Sequence, residues 1–178
     1  AQAALEVVRQ LGITDEFFYS AIRSFKGAAR RLQKLGENAH TAVFLDFAHA
    51  PSKLRATIDA VKNHHPTRKL VACMELHTFS SLSKKFIDQY SHTMDQADLP
   101  LVYFNPETIQ HKNLEMLTKE HIRAAFDNEK VQVYNDTRKL KEALYKMSMN
   151  GKNLLLMTSG NFNGMDLQDL ADEMLERI

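Results

Sequence analysis

Cysteine is almost absent: Cys73 is the only one in 178 residues. One thiol cannot close an internal disulfide, and such usage fits a reducing compartment. No apolar run approaches the roughly 18 residues of a membrane span. The N-terminus has no charged segment followed by an apolar one, so no export signal is read. Neither charge sign dominates, with 23 Lys+Arg against 22 Asp+Glu and a net charge of +1. A dedicated nucleic-acid binder would carry a basic excess, so no nucleic-acid partner is expected. The expectation is a cytoplasmic domain with neither a nucleic-acid nor a membrane partner. A chain of this size buries roughly two-thirds of its unfolded surface and needs no disulfide or metal to hold a core.

Several catalytic signatures are also missing. No G-x-x-x-x-G-K-[ST] occurs, so the chain carries no Walker A phosphate cradle. Its six glycines, at 12, 27, 36, 151, 160 and 164, form no G-x-G-x-x-G. There is no G-x-S-x-G nucleophile elbow. No Cys or His pair has metal-ligand spacing with a completing set, and the adjacent His64-His65 reads as a solvated helix end. No metal site is expected.

What is present is an alternation of short apolar runs with amphipathic stretches. The first residues read as a helix over 3–12 closed by Gly12, followed by a helix from an N-cap at Thr14 to about Phe25. The helical pattern is already under way at residue 3, which leads to the expectation of a chain cut from a longer protein. Strands are expected at 42–47, 69–74, 99–104, 131–134 and 153–157, with an earlier one at 31–34. Helices are expected at 52–63, 81–96, 118–126, 137–147 and 167–178, and an irregular surface excursion at 105–117. Continuous apolar strands such as Leu154-Leu155-Leu156-Met157 are those buried on both faces by helices. The pattern predicts an α/β class: a doubly wound, mostly parallel, Rossmann-like sheet with helices on both faces.

In such sheets ligands bind beyond the carboxyl ends of the strands. Polar residues fall there in this chain: Asp46 and His49, Glu75 and His77, Asn105, Asn135-Asp136, and Thr158-Ser159-Gly160-Asn161. Many strand exits are merely turn formers. An Asp and a His three residues apart, with Pro51 able to start the next helix, are less easily explained that way.

Three stretches carry a family resemblance. Phe25-Lys26-Gly27-Ala28-Ala29-Arg30-Arg31-Leu32-Gln33 resembles the segment joining the central and C-terminal domains of the Mur ligases. Asp46-Phe47-Ala48-His49-Ala50-Pro51 resembles that family's Asp-Tyr/Phe-Ala/Gly-His-x-Pro motif. Met157-Thr158-Ser159-Gly160-Asn161-Phe162-Asn163-Gly164 is similar to the loop that holds the incoming amino acid or peptide. The resemblance implies that residues 1–25 are the tail of a central ATPase domain with its linker helix, and 26–178 the C-terminal, acceptor-binding domain. It implies a P-loop and a UDP-binding domain upstream, with ATP and Mg bound mainly there.

The implied activity is ATP-dependent amide ligation in peptidoglycan metabolism, with UDP-N-acetylmuramate activated as an acyl phosphate. Arg31 takes the place of the family's phosphate-contacting arginine, and Arg30 neighbours it. Asp46 takes the place of the ribose ligand, and His49 lies beside the nucleotide. His77, Thr78, Ser159, Gly160, Asn161 and Phe162 fall on the acceptor side. Two branches of the family differ in acceptor, one using L-alanine and the other the L-alanyl-γ-D-glutamyl-meso-diaminopimelate tripeptide. The 158–164 loop and the Asp46–His49 motif look more like the peptide branch. The chain departs from both branches at Met74–Ser80, where Thr78 stands in or near the place of an arginine, and at Ala50, where a second His is common. A reading from another class is a non-enzymatic, flavodoxin-like binding module, since the same sheet serves many functions.

Overall fold

The computed structural model describes residues 2–25 and 27–177. Lys26, part of the linker motif and first residue of the expected second domain, lies outside the described residues. So does Ile178, where the 167–178 helix was expected to end.

Two short helices lead the chain. Helix α1 (Gln2–Gln10) stops before Gly12, whose φ of +76° turns the backbone out of the helix. Helix α2 (Asp15–Ile22) starts at Thr14, whose hydroxyl accepts from the Phe17 N–H at 3.4 Å. Arg9 ties the two together through Asp15 at 2.6 Å.

The sheet has six strands in the order β1-β2-β6-β3-β4-β5. They are β1 (Gln33–Glu37), β2 (Ala42–Asp46), β3 (Lys69–Leu76), β4 (Leu99–Phe104), β5 (Gln132–Tyr134) and β6 (Lys152–Met157). Only β1, an edge strand with a register shift between Lys34 and Gly36, runs antiparallel to its neighbour. The other pairings are parallel. Connecting helices are α3 (Pro51–His64), α4 (Pro106–His111), α5 (Lys119–Phe126), α6 (Thr137–Tyr145) and α7 (Leu167–Leu175). The doubly wound, mostly parallel α/β architecture is the one expected.

Alternate side chains of the strands feed two cores. Phe44, Met74 and Phe104 point to one face, where Leu54 and Ile58 of α3, Tyr90, and Ile122 and Phe126 of α5 cover them. Val43, Val71 and Leu156 point to the other, under Leu140 and Leu144 of α6 and Leu170 and Met174 of α7. Each such side chain contributes about 1.5–3 kcal/mol by leaving water. Cys73 is fully buried in the second core, and burial pushes its thiol pKa far up, so it is unreactive.

Two expectations need correction. Residues 81–96 do not form a helix; they are turns around a single 3₁₀ turn at Ile87–Tyr90. The hydroxyls of Thr78 and Ser81 bond locally, Ser81 Oγ donating to the Thr78 carbonyl at 3.1 Å and competing with a helical ladder. His92 at φ +58° then breaks any continuation. The 105–117 excursion is not wholly irregular, because Asn105 caps the short α4 through its side chain at 2.9 Å.

The connectivity places the site. From β2 through β3 and β4 to β5 the chain steps across the sheet, its connecting segments packed on the first face. From β5 it returns along α6 on the second face and inserts β6 between β2 and β3. Beyond the ends of β2, β6 and β3 the winding reverses, and a crevice opens there.

Candidate functional site

Asp46 closes β2 and is buried. One carboxylate oxygen accepts from the Leu32 N–H at 2.6 Å, the other from the Ala48 N–H at 2.7 Å. Thr57 Oγ1 lies 3.4 Å from the second oxygen. Asp46 therefore pins the linker to the 46–51 loop. The Phe47 N–H donates to the Arg30 carbonyl at 2.8 Å, which adds a second tie. His49 is half-buried; its Nδ1 sits 2.9 Å from the Phe47 carbonyl, its ring edge-on to Phe47 at 5.1 Å. Tyr90 donates its hydroxyl to the His49 carbonyl, so this loop is held from both sides.

The two arginines of the linker are placed differently. Arg30 is partly buried at φ +54°, and its guanidinium donates to the Gly160 carbonyl at 3.1 Å. Arg31 is exposed, its guanidinium carbon 5.6 Å from the centre of the Phe47 ring. One cation is committed to the protein and the other is presented on an aromatic face.

Glu75 organises the loop after β6. It is 2% exposed, next to last in β3. Its Oε2 accepts from the Thr158 hydroxyl and from the Phe162 N–H, the latter at 3.0 Å. Thr158 Oγ1 in turn accepts from the Gly160 N–H at 2.7 Å. His77 Nδ1 lies 3.7 Å from the other Glu75 oxygen. Gly160 threads between these groups: a Cβ there would lie 2.8 Å from Glu75 Oε2 and 3.0 Å from the His77 ring. A carboxylate is costly to bury unless hydrogen-bonded, and here the loop supplies the donors.

The expected acceptor-side residues are not equivalent. His77 and Gly160 face each other across the crevice. Thr78 uses its hydroxyl on the turn at Ser81, whose N–H donates to it at 3.2 Å. Ser159 Oγ is buried and finds no partner among the described residues. Asn161 is exposed, and its Oδ1 accepts from the Gly164 N–H at 2.9 Å. Phe162 has its ring in the second core, 5.8 Å from Tyr103, so only its backbone reaches the loop surface. Sequence reasoning notes Glu75 at a strand end without giving it a role. The signal was a carboxylate inside an otherwise apolar, doubly buried strand. Among the described residues, no group of three or more His, Cys, Asp or Glu is placed to hold a metal ion. No helix among them is long and apolar enough to cross a membrane.

A doubly wound domain whose linker, first strand end and late strand-end loop are bonded into one crevice is a ligand-presenting α/β domain. The chain belongs to the Mur ligase family: the model for "Mur ligase, glutamate ligase domain" matches residues 30–160. It is similar to the UDP-N-acetylmuramate–L-alanine ligase of Agathobacter rectalis, 27% identical over 185 residues, which cover 99% of this chain and 37% of the relative. The chain thus spans little more than a third of that relative's length. Among solved structures, it shares its fold with a murein peptide ligase from Psychrobacter arcticus 273-4, with a TM-score of 0.69 and 23% identity over 98% of this chain and 36% of the other. It also shares it with the MurF ligase of Thermotoga maritima in complex with ADP, with a TM-score of 0.61 and 20% identity over 98% and 36%.

Proposed function

We propose that this chain is the C-terminal, acceptor-presenting domain of a cytoplasmic, ATP-dependent ligase that joins the murein tripeptide to UDP-N-acetylmuramate in peptidoglycan recycling. The observation that carries it is the bond from Arg30 to the Gly160 carbonyl. It joins the basic linker, the phosphate side of the resemblance, to the 158–164 loop, the acceptor side.

ATP, when bound, supplies the phosphoryl group that turns the muramate carboxylate into an acyl phosphate. In this domain Arg31 is the residue fitted to it: an exposed guanidinium seated on Phe47 has its donors free for phosphate oxygens. Asp46 and His49 border the nucleotide side. Asp46 has both oxygens on backbone N–H groups, so a ribose hydroxyl would use its remaining lone pairs. Mg would be held mainly by residues upstream. On the acceptor side His77 and the Gly160 backbone form the wall, the buried, unpaired Ser159 hydroxyl lies in the loop, and Asn161 shapes the turn.

Residues 1–25 fit the tail of a central ATPase domain and its linker. Val7, Leu11, Phe17 and Phe25 are large apolar side chains at least 62% exposed, a face suited to cover by an upstream domain. The chain alone would then neither hydrolyse ATP nor form an amide bond.

A second reading, the L-alanine-adding ligase, is favoured by the printed name of the A. rectalis relative. A competition assay with the full-length protein decides between them, offering L-alanine and the tripeptide at equal concentration with ATP and UDP-N-acetylmuramate. Preferential use of the tripeptide is expected. Exclusive use of L-alanine moves the chain to the other branch, and no ligation with either overturns the proposal.

A further inference from the structure

Beside the Gly160 crevice lies a second one of about 380 Å³, beyond the ends of β4 and β5, which the family resemblance leaves without a role. Three strand-end loops build it: Asn105 and Glu107 come from the first, Asp136, Thr137 and Arg138 from the second, and Asn163 from the same 158–164 loop that borders Gly160. The floor is fixed by hydrogen bonds. The Tyr103 hydroxyl lies 2.9 Å from Thr137 Oγ1, which lies 3.4 Å from the Phe162 carbonyl. The two crevices therefore share one loop and one support.

The wall charges are of both signs. Glu107 is exposed and has no ionic partner among the described residues. Asp136 spends one oxygen on the N–H groups of Arg138 and Lys139, at 2.8 and 3.2 Å. Its other oxygen is 3.7 Å from the Arg138 guanidinium, too long for a good hydrogen bond. The Arg138 side chain is 89% exposed. Asn105 is buried and uses its side-chain oxygen on the Glu107 N–H, which leaves its amide N–H donors uncommitted. Two carboxylates and a loosely held guanidinium around one cavity match a ligand that itself carries both charges.

We propose that this crevice is a subsite for the distal end of the acceptor, selecting an amino-acid group with an ammonium and a carboxylate on the same carbon. The carboxylate is taken by Arg138 and the Asn105 amide, the ammonium by Glu107 and the free oxygen of Asp136. The inference rests on the peptide reading above, because free L-alanine has only one such group and its amine must face the reaction crevice. The murein tripeptide ends in meso-diaminopimelate, whose free carbon carries both groups.

The test uses the full-length protein with three acceptors: the diaminopimelate-ended tripeptide, the same peptide ended in L-lysine, and L-alanine. The lysine peptide keeps the distal ammonium and lacks the distal carboxylate. Arg138→Gln is expected to raise KM for the diaminopimelate peptide about tenfold with kcat kept, and to leave the lysine peptide unchanged. Glu107→Gln is expected to raise KM for both peptides. Equal KM values for the two peptides, unaffected by Arg138→Gln, overturn the subsite and leave the peptide reading standing. Exclusive use of L-alanine overturns the peptide reading and the subsite together.

Discussion

The buried carboxylate of Glu75 accepts the Phe162 backbone N–H at 3.0 Å, a bond that spans 87 residues and two strands. Phe162 stands at φ +49° and Asn163 at +59°, a left-handed pair that side chains rarely adopt. The Glu75 contact and the Asn161 turn at Gly164 hold that geometry. Glu75→Ala removes the acceptor for two buried donors, the Phe162 N–H and the Thr158 hydroxyl. The expected loss of stability is about 2–3 kcal/mol, read by urea denaturation of the 178-residue chain. Glu75→Gln retains a carbonyl acceptor and should lose less. Equal stability of Glu75→Ala and the parent chain would show that the loop is not held this way.

Gly160 tests the same packing from the opposite side. Its backbone is not in the left-handed region, so any penalty for Ala comes from space alone. The added Cβ would press on Glu75 Oε2, which is pinned, and on the His77 ring, which is half-exposed and able to swing. Gly160→Ala should cost about 1–3 kcal/mol and raise the acceptor KM of the full-length ligase. Ser159→Ala is the control: its Oγ has no protein partner, so its loss should leave stability within about 0.5 kcal/mol of the parent. Equal behaviour of the two variants, in urea and in KM, would remove Gly160 from the site.

The strands were legible because each is an apolar run of the right length. Those expected at 42–47, 99–104 and 153–157 agree with the structure to within one residue. Less legible was β1, an edge strand with a bulge whose side chains are mixed; it lies at Gln33–Glu37 rather than 31–34. The 81–96 segment misled because its buried residues Leu82, Ile87, Tyr90 and Met94 imitate a helical stripe, while Thr78 and Ser81 divert the backbone. At the site, residue type pointed to the strand ends, but only tertiary bonding separates Arg30 from Arg31. Only tertiary bonding, too, reveals Glu75 as the residue that holds the acceptor loop.

His65 gives the fold a pH dependence. Burial, then His64 and Arg68, hold its pKa below the ordinary 6.5, with Glu37 opposing. The unfolded state therefore binds a proton more readily than the folded one. Stability from this group is fully present above pH 6.5 and is lost as pH falls through the lower folded value. His65→Phe keeps the packing on Phe44, whose ring centre is 5.7 Å away, and removes the titration. Urea midpoints between pH 7.5 and 5 should fall less steeply for the variant. An unchanged slope would mean that His65 is not the titrating group.

The linker arginines should separate by kinetic signature in the full-length ligase. Arg30 is bonded to the Gly160 carbonyl and acts on the acceptor loop, so Arg30→Ala should raise the acceptor KM and lower the urea midpoint, with a smaller effect on kcat. Arg31 makes no hydrogen bond among the described side-chain contacts beyond its seat on Phe47, so Arg31→Ala should leave the urea midpoint near that of the parent. A guanidinium that meets charge developing on a transferred phosphoryl group is worth several kcal/mol. The expected loss in kcat is on the order of a hundredfold, with KM for UDP-N-acetylmuramate little changed. Arg31→Lys, which keeps the charge but not the fork of donors, should recover only part of it. Steady-state kinetics with saturating acceptor, beside urea denaturation of each variant, separates the two roles. An Arg31→Ala enzyme within twofold of the parent would move the phosphate contact to another residue, and a stability loss equal to that of Arg30→Ala would make Arg31 a structural tie.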